Sequence, residues 1–239
     1  MHLVYVDFDG TLVKSNSLHY LVAVHQHQLA SQRSLASLIR WGLAWIALPL
    51  ILILHKVSES ARDAVTYRLY RGLTRADIAA GAAAFWQKKQ SHVFHNHAIA
   101  LLHELAAQGH RIVLVSGSLQ EVIQPAMRVC GLEPLIETYL TASLQYNAQG
   151  QCQCIEGQAN IQAQKVNRIQ AYESAAGLTP TARLAITDSL SDLPLLNFCD
   201  DAVVIEPKAD LQKEALRRQW KILRESQASQ GPGRSPNKL

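Results

Sequence analysis

Leu3-Val4-Tyr5-Val6-Asp7-Phe8-Asp9-Gly10-Thr11 decides how the rest of the chain is read. Its opening residues are apolar and partly β-branched, the composition of a buried strand. The run ends in carboxylates at positions 7 and 9, the second followed by glycine, a turn signal. Residues i and i+2 of an extended segment face the same side, so Asp7 and Asp9 can address one small volume at the strand's carboxyl end. Open α/β sheets bind ligands at those ends. An ordinary acidic turn would account for this stretch alone; the later segments add chemistry that such a turn does not need.

Arg111–Val115 reads as a second buried strand, running into Ser116-Gly117-Ser118. Ser118 and Glu121 have capping-box spacing, which predicts a helix from Ser118 to Gly131 whose free N–H groups could face an anion. Arg183–Thr187 is a third strand and delivers Asp188-Ser-Leu-Ser-Asp192; Ala202–Ile205 is a last short one before Glu206-Pro207. Helices are predicted over Ala98–Gln108 and Ile161–Ala176, the latter carrying Lys165, and a hairpin over Thr141–Tyr146 and Gln151–Ile155. The alternation predicts an α/β chain with a Rossmann-like three-layer core and a parallel sheet.

Strand ends would thus gather Asp7, Asp9, Ser116 and Asp188, with Lys165 entering from a helix. A hard cation such as Mg²⁺ takes a few carboxylate oxygens and keeps water, which Asp7 and Asp188, with Asp192 behind them, can satisfy. A carboxylate can also attack phosphorus to form an aspartyl-phosphate. That chemistry needs cations on the phosphoryl oxygens and an acid for the leaving group.

Residues 14–92 read as helices broken by polar patches and by Pro49. Within them Trp41–Leu54 is an uninterrupted apolar run of 14 residues flanked by Arg40 and by His55-Lys56. That is short of the roughly 20 residues that span a bilayer. A buried helical hairpin, a re-entrant or membrane-interface segment, with its Trp residues and flanking cations, and a self-association surface all fit. The pairs His25/His27 and His95/His97 would point to different faces of a helix and are expected to be ordinary surface histidines.

Nearly half of the 239 residues are hydrophobic (48%), which excludes global disorder. The formal charge of +4 is too diffuse for nucleic-acid binding, and no basic stripe interleaved with aromatics appears. Cys130, Cys152, Cys154 and Cys199 make no disulfide framework, and Cys152-Gln-Cys154 lacks zinc-site spacing, so structural thiols are expected. No signal peptide is read before the first strand, which predicts a cytoplasmic protein, with peripheral contact to the inner face of a membrane through 41–54 as the variant. Beyond Arg224 the Ser/Gln/Gly/Pro composition predicts disorder over 226–239. Nothing in the sequence fixes an oligomeric state.

Asp7-Phe-Asp9-Gly-Thr11, Ser116, Lys165 and Asp188…Asp192 together resemble the four motifs of the haloacid dehalogenase superfamily, over almost the whole chain. The insert after the first motif and the hairpin before Lys165 are similar to its phosphoserine-phosphatase-like subfamily. The resemblance implies an α/β catalytic core over 1–14 and 95–225 and a helical cap over 15–94. It implies a Mg²⁺-dependent phosphatase acting through an aspartyl-phosphate on a small phosphorylated metabolite. Asp7 would be nucleophile and metal ligand, and Asp9 acid/base and metal ligand through its carbonyl. Ser116, Gly117 and Lys165 would hold the phosphoryl group; Asp188 would bind metal, with Asp192 behind it. Asn16 stands where phosphoserine phosphatases carry a substrate-binding glutamate, Gly117-Ser118 replaces two glycines, and Thr187-Asp188-Ser189-Leu190-Ser191-Asp192 departs from their fourth motif. Phosphoserine is therefore a poor fit. The apolar cap run is similar to that of lipid-phosphate phosphatases of the same subfamily, the alternative substrate class. A catalytically silent protein that binds a partner through the cap is the third reading.

Overall fold

A computed structural model describes residues 2–156 and 164–225. The strands are β1 (His2–Val6), β2 (Arg111–Leu119), β3 (Ile136–Ala142), β4 (Leu144–Tyr146), β5 (Cys152–Ile155), β6 (Ala182–Thr187), β7 (Asp201–Ile205) and β8 (Lys221–Leu223). The α-helices are α1 (Ser17–Gln32), α2 (Leu35–Val57), α3 (Glu59–Arg68), α4 (Arg75–Lys89), α5 (Asn96–Ala107), α6 (Gln120–Val129), α7 (Lys165–Ala175), α8 (Leu193–Phe198) and α9 (Ala209–Arg218). A six-stranded sheet runs in the order β3-β2-β1-β6-β7-β8, every pairing parallel. Strand order turns around between β1 and β6, the position where open α/β sheets leave a crevice.

The period of two in β1 builds the layers. Val4 and Val6 pack into a cluster with Leu102 of α5 and Ile123 and Met127 of α6, while Leu3 and Tyr5 pack with Ile169 of α7, Leu195 of α8 and Leu211 of α9. Helices therefore cover both faces, as the near-continuous apolar strands demand. The first of these clusters continues into the insert α1–α4 through Phe8, Tyr20, Leu21, Val24, Ile78 and Trp86. The Trp86 indole N–H donates to the Val122 carbonyl of α6 at 2.9 Å, tying insert to core.

Several expectations need correction. The helix predicted to break at Pro49 runs through it, as α2, over 23 residues. Proline removes one backbone bond and crowds the preceding turn, but the flanking Leu, Ala and Ile residues favour helix. The apolar stretch also reaches back to Leu35, so Leu35–Leu54 is long and apolar enough to cross a membrane by length and composition, and only 17% of that window is buried. Thr141 belongs to β3, a strand the sequence reading did not anticipate, and the hairpin is the shorter β4–β5 pair. Helix α9 and strand β8 were likewise not anticipated, although Leu211 and Ala215 give α9 an apolar face at helical spacing. Ser118 lies in β2 and makes no helix cap: α6 has Leu119 at its N-cap, without a side-chain bond. His25, His95 and His97 are buried rather than on the surface. His95 precedes α5 with extended backbone, so the helical spacing rule does not govern the 95/97 pair. The expected tail 226–239 and residues 161–163 of the predicted Lys165 helix fall outside the described residues.

At Gly81, α4 lies against α1: a Cβ there would sit 2.6 Å from the Val24 Cα. Gly81→Ala should destabilise the fold by about 1–3 kcal/mol through overpacking, although alanine is the better helix former by about 1 kcal/mol. Chemical denaturation checks this; an unchanged or raised stability contradicts the packing.

Candidate active site

Asp7 and Asp9 follow β1, Ser116-Gly117-Ser118 forms the end of β2, and Asp188 follows β6. These residues, with Asp192, line one cleft of about 380 Å³ at the carboxyl edge of the sheet, joined by Lys14 and Lys208. Lys165, the first residue of α7, reaches the cluster from below and is 1% exposed. Its Nζ donates to Asp7 Oδ1 at 2.8 Å and to Asp192 Oδ2 at 2.9 Å. Thr187 Oγ1 also donates to Asp192 Oδ2 at 2.6 Å.

Thr11 closes the opposite side. Its hydroxyl donates to Asp188 Oδ1 at 2.9 Å and lies 3.4 Å from Asp7 Oδ2. Between them Gly10 has φ +81°, and a Cβ there would overlap the Asp188 carboxylate. The loop therefore needs glycine both for its backbone and for the approach of Asp188.

Asp9 has its own partners. Tyr20 of α1 donates to Oδ1 at 2.8 Å, and Ser118 donates to Oδ2 through a short hydrogen bond. The β2–β3 register shifts between Val115 and Leu119, re-aiming the motif residues toward the cleft. Ser118 N–H donates to Ser116 Oγ at 3.1 Å, which leaves the Ser116 hydroxyl proton free to donate into the cleft. Tyr67, at the end of α3, donates to the Gly117 carbonyl and so brings the insert onto the motif. Tyr20, Ser118, Tyr67, Lys14 and Lys208 were not anticipated as site residues. Only Ser118, adjacent to the predicted pair Ser116-Gly117, carried a usable signal.

Burial pushes Asp7 upward, with Asp192 and Asp188 adding to the rise and Lys165 opposing it. Burial also raises Asp188, against its bond from Thr11. Asp9 is pushed up to about 6 by burial, against the bonds from Ser118 and Tyr20. Burial alone would lower Lys165, but Asp192 and Asp7 hold it above the ordinary lysine range. Among the described residues Asp7 and Asp192 both bond Lys165 while Asp188 stands beside them, and the negative charge left at that point suits a divalent ion. Asp7, Asp188 and the carbonyl of Asp9 are oxygen donors of the kind Mg²⁺ takes. Asn16 caps α1, its Oδ1 accepting from Leu18 N–H at 3.2 Å, and also lies at the cleft.

The family model of the haloacid dehalogenase-like hydrolases matches residues 4–197. The chain belongs to that family. A Streptomyces azureus protein named for inhibition of morphological differentiation is 24% identical over 92% of this chain and 76% of its own length. The histidinol-phosphatase of Neisseria meningitidis is 26% identical over 51% of the chain, which spans about half (54%) of that relative. Among solved structures, a Bordetella pertussis protein of unknown function superposes with a TM-score of 0.76 at 19% identity, covering 93% of this chain and 97% of the other. A substrate-bound phosphoserine phosphatase superposes with 0.57 at 14% identity, covering 90% and 97%. Both structures show the shared fold, of the phosphoserine-phosphatase-like kind.

Asp9 offers a test by pH. Its carboxyl is raised in the folded protein from an ordinary 3.8 to about 6, so the folded state holds the proton more tightly than the unfolded chain. The associated stability is present below about pH 4 and lost as pH rises through 6. In chelator-treated protein, Asp9→Asn should therefore gain stability relative to the wild type between pH 4 and 7, by about 2 kcal/mol. A difference that stays flat across that range contradicts the assignment.

Proposed function

We propose that the chain hydrolyses phosphomonoesters through an aspartyl-phosphate on Asp7. The supporting observation is the fixed Asp7–Lys165–Asp192 bridge: Lys165 holds Asp7 Oδ1, while Oδ2, 3.4 Å from the Thr11 hydroxyl, is the oxygen left for attack. Asp7 Oδ2 attacks phosphorus, and the P–O bond to the leaving alcohol breaks. Asp9 gives its proton to that oxygen, then takes one from the water that attacks the phosphorus of the aspartyl-phosphate, releasing phosphate and Asp7. Ser116 and Lys165 meet the phosphoryl oxygens. Bound Mg²⁺, held by Asp7, Asp188 and the Asp9 carbonyl, would neutralise phosphoryl charge. The helices of residues 15–94 serve as the cap, which Tyr67 and Tyr20 anchor to the catalytic loops.

For the substrate, the structure favours the amphiphilic class over a small soluble metabolite. Asn16 lines the catalytic cleft and also a second, largely apolar cavity of about 640 Å³ between α1, α2 and α4. Val22, Trp45, Leu48, Leu52 and Phe85 line that cavity, and Lys88 and Lys89 stand at it. From there α2 continues as an unpartnered apolar surface, with Ile46 75% exposed and Leu43, Leu50 and Ile53 exposed beside it. Soluble monomers rarely leave so large a patch bare. An apolar tail in the cavity and a phosphate in the cleft would occupy both together, with α2 resting in the membrane interface.

Asp7→Asn should lose at least about 10³-fold in phosphatase turnover with the fold retained, and residual activity above a tenth of wild type would reject Asp7 as nucleophile. Asp9→Asn should lose about 10²–10⁴-fold on alkyl phosphates and less on aryl phosphates, whose leaving groups need no proton. Equal losses on both substrates would reject the acid role.

The two isoleucines of α2 separate packing from docking. Ile51 is fully buried, so Ile51→Asp should cost several kcal/mol. Ile46→Asp should leave the melting curve intact while reducing flotation with anionic vesicles and turnover of long-chain over short-chain phosphates. Wild-type protein that neither floats nor prefers long-chain substrates would return the substrate to the soluble class.

A further inference from the structure

Behind the catalytic loop, away from the cluster around Lys165, lies a second group of potential ligands: His95, His97 and Glu206. One donor atom from each falls within 4.8 Å of the others. Their placement follows from the fold. His95 is the N-cap residue of α5 with φ −83° and ψ 91°, so its ring and that of His97 in the first turn converge, centroids 5.4 Å apart. Glu206 leaves β7 with φ +44°, its backbone N–H held by the Leu223 carbonyl of β8 at 3.0 Å.

Glu206 Oε1 accepts a short bond from the Glu225 backbone N–H, but the imidazole nitrogens beside it are not all accounted for by the described residues. His95 and His97 are only 7% and 9% exposed. Nδ1 of His95 and both ring nitrogens of His97 are buried without a hydrogen-bond partner among the described residues. His97 Nε2 stands 3.5 Å from Glu206 Oε1. Buried polar groups are normally paired, and two orphaned imidazoles beside one carboxylate call for a shared occupant. Burial lowers both imidazoles below the ordinary histidine range, toward the neutral form that ligates metals. Other charges face the cluster: Lys14, paired with Glu225 at 2.7 Å, and Arg224, 3.8 Å from Glu206 Oε2.

We propose that His95, His97 and Glu206 bind a zinc-class transition-metal ion, separate from the Mg²⁺ site. Two imidazoles and a carboxylate are a zinc-type donor set, whereas Mg²⁺ takes oxygen ligands and retains its water. The donor atoms, now within 4.8 Å of one another, would have to draw in to about 3.3 Å around a tetrahedral ion, with water in the fourth position. The ion would clip the start of α5 to the end of β7. His95 N–H already donates to the Leu12 carbonyl at 3.0 Å, and Lys14 N–H to the Val93 carbonyl at 2.6 Å. The clip would therefore hold the segment that carries Asp9 and Thr11, as a structural ion and not as a participant in catalysis.

Chelator-treated full-length protein is titrated with Zn²⁺ against a chromophoric competitor, and with Co²⁺ by visible absorption. The expected result is one equivalent bound with a Kd at or below about 1 μM and a melting temperature raised by at least about 3 °C. Asp188→Asn should keep both effects. His97→Gln should lose them, with Kd weakened at least about 30-fold. Glu206→Gln and His95→Asn serve if His97→Gln fails to melt cooperatively in chelator. Failure to bind Zn²⁺, binding unchanged in the histidine variants, or binding lost in Asp188→Asn would each overturn the site. Loss of activity in Asp7→Asn bears on the phosphatase assignment alone.

Discussion

One buried ammonium group holds this active site together. Lys165 lies under Asp7 and Asp192, with Asp188 and Asp9 close by, in a position almost closed to solvent. Removing such a group from water costs several kcal/mol unless its partners are well placed. Each partner is placed by a different strand or helix: Asp7 by β1, Asp192 by the segment after β6, Lys165 by α7. The parallel register of β1 with β6, Val6 beside Ile186, brings the first two to the same height at the sheet edge. The glycine at position 10 and the hydroxyls of Thr11 and Thr187 all fit against that charge cluster.

The insert α1–α4 packs directly onto the core. Tyr20 and Tyr67 bond to the catalytic loops, and Trp86 fastens α4 to α6, so the cap is a continuation of the core's packing. The same helices leave α2 bare on its outer side. Ala44 and Ile51 face inward while Ile46 and Ile53 face solvent, so the helix uses little of its apolar surface for folding. A polar cleft meets an apolar cavity at Asn16, and the proposal of an amphiphilic substrate rests on that junction.

The first strand was legible because Leu3–Val6 is an unbroken, partly β-branched apolar run and the carboxylates come at i and i+2. Asp188 followed from its place at the end of a predicted strand; Lys165 was placed on a predicted helix entering the cluster, and its role came from the family resemblance. Tyr20 was not legible: it reaches Asp9 from a helix in another layer, a contact that no local pattern encodes. Ser118 was assigned to a helix cap because its spacing to Glu121 fits one, yet the bulge in β2 turns its hydroxyl onto Asp9. Pro49 misled in the same way, since helix propensity on both sides outweighs one lost backbone bond. The His95/His97 pair was judged by helical geometry that begins only after His95.

The most direct test of the central claim is acid-quenched single turnover with a ³²P-labelled phosphomonoester and Mg²⁺, followed by peptide mapping. The account predicts a transient phosphoprotein whose label maps to the peptide at Asp7, formed by wild type, accumulating in Asp9→Asn and absent in Asp7→Asn. Turnover without a phosphoprotein, or a label on any other residue, would contradict it.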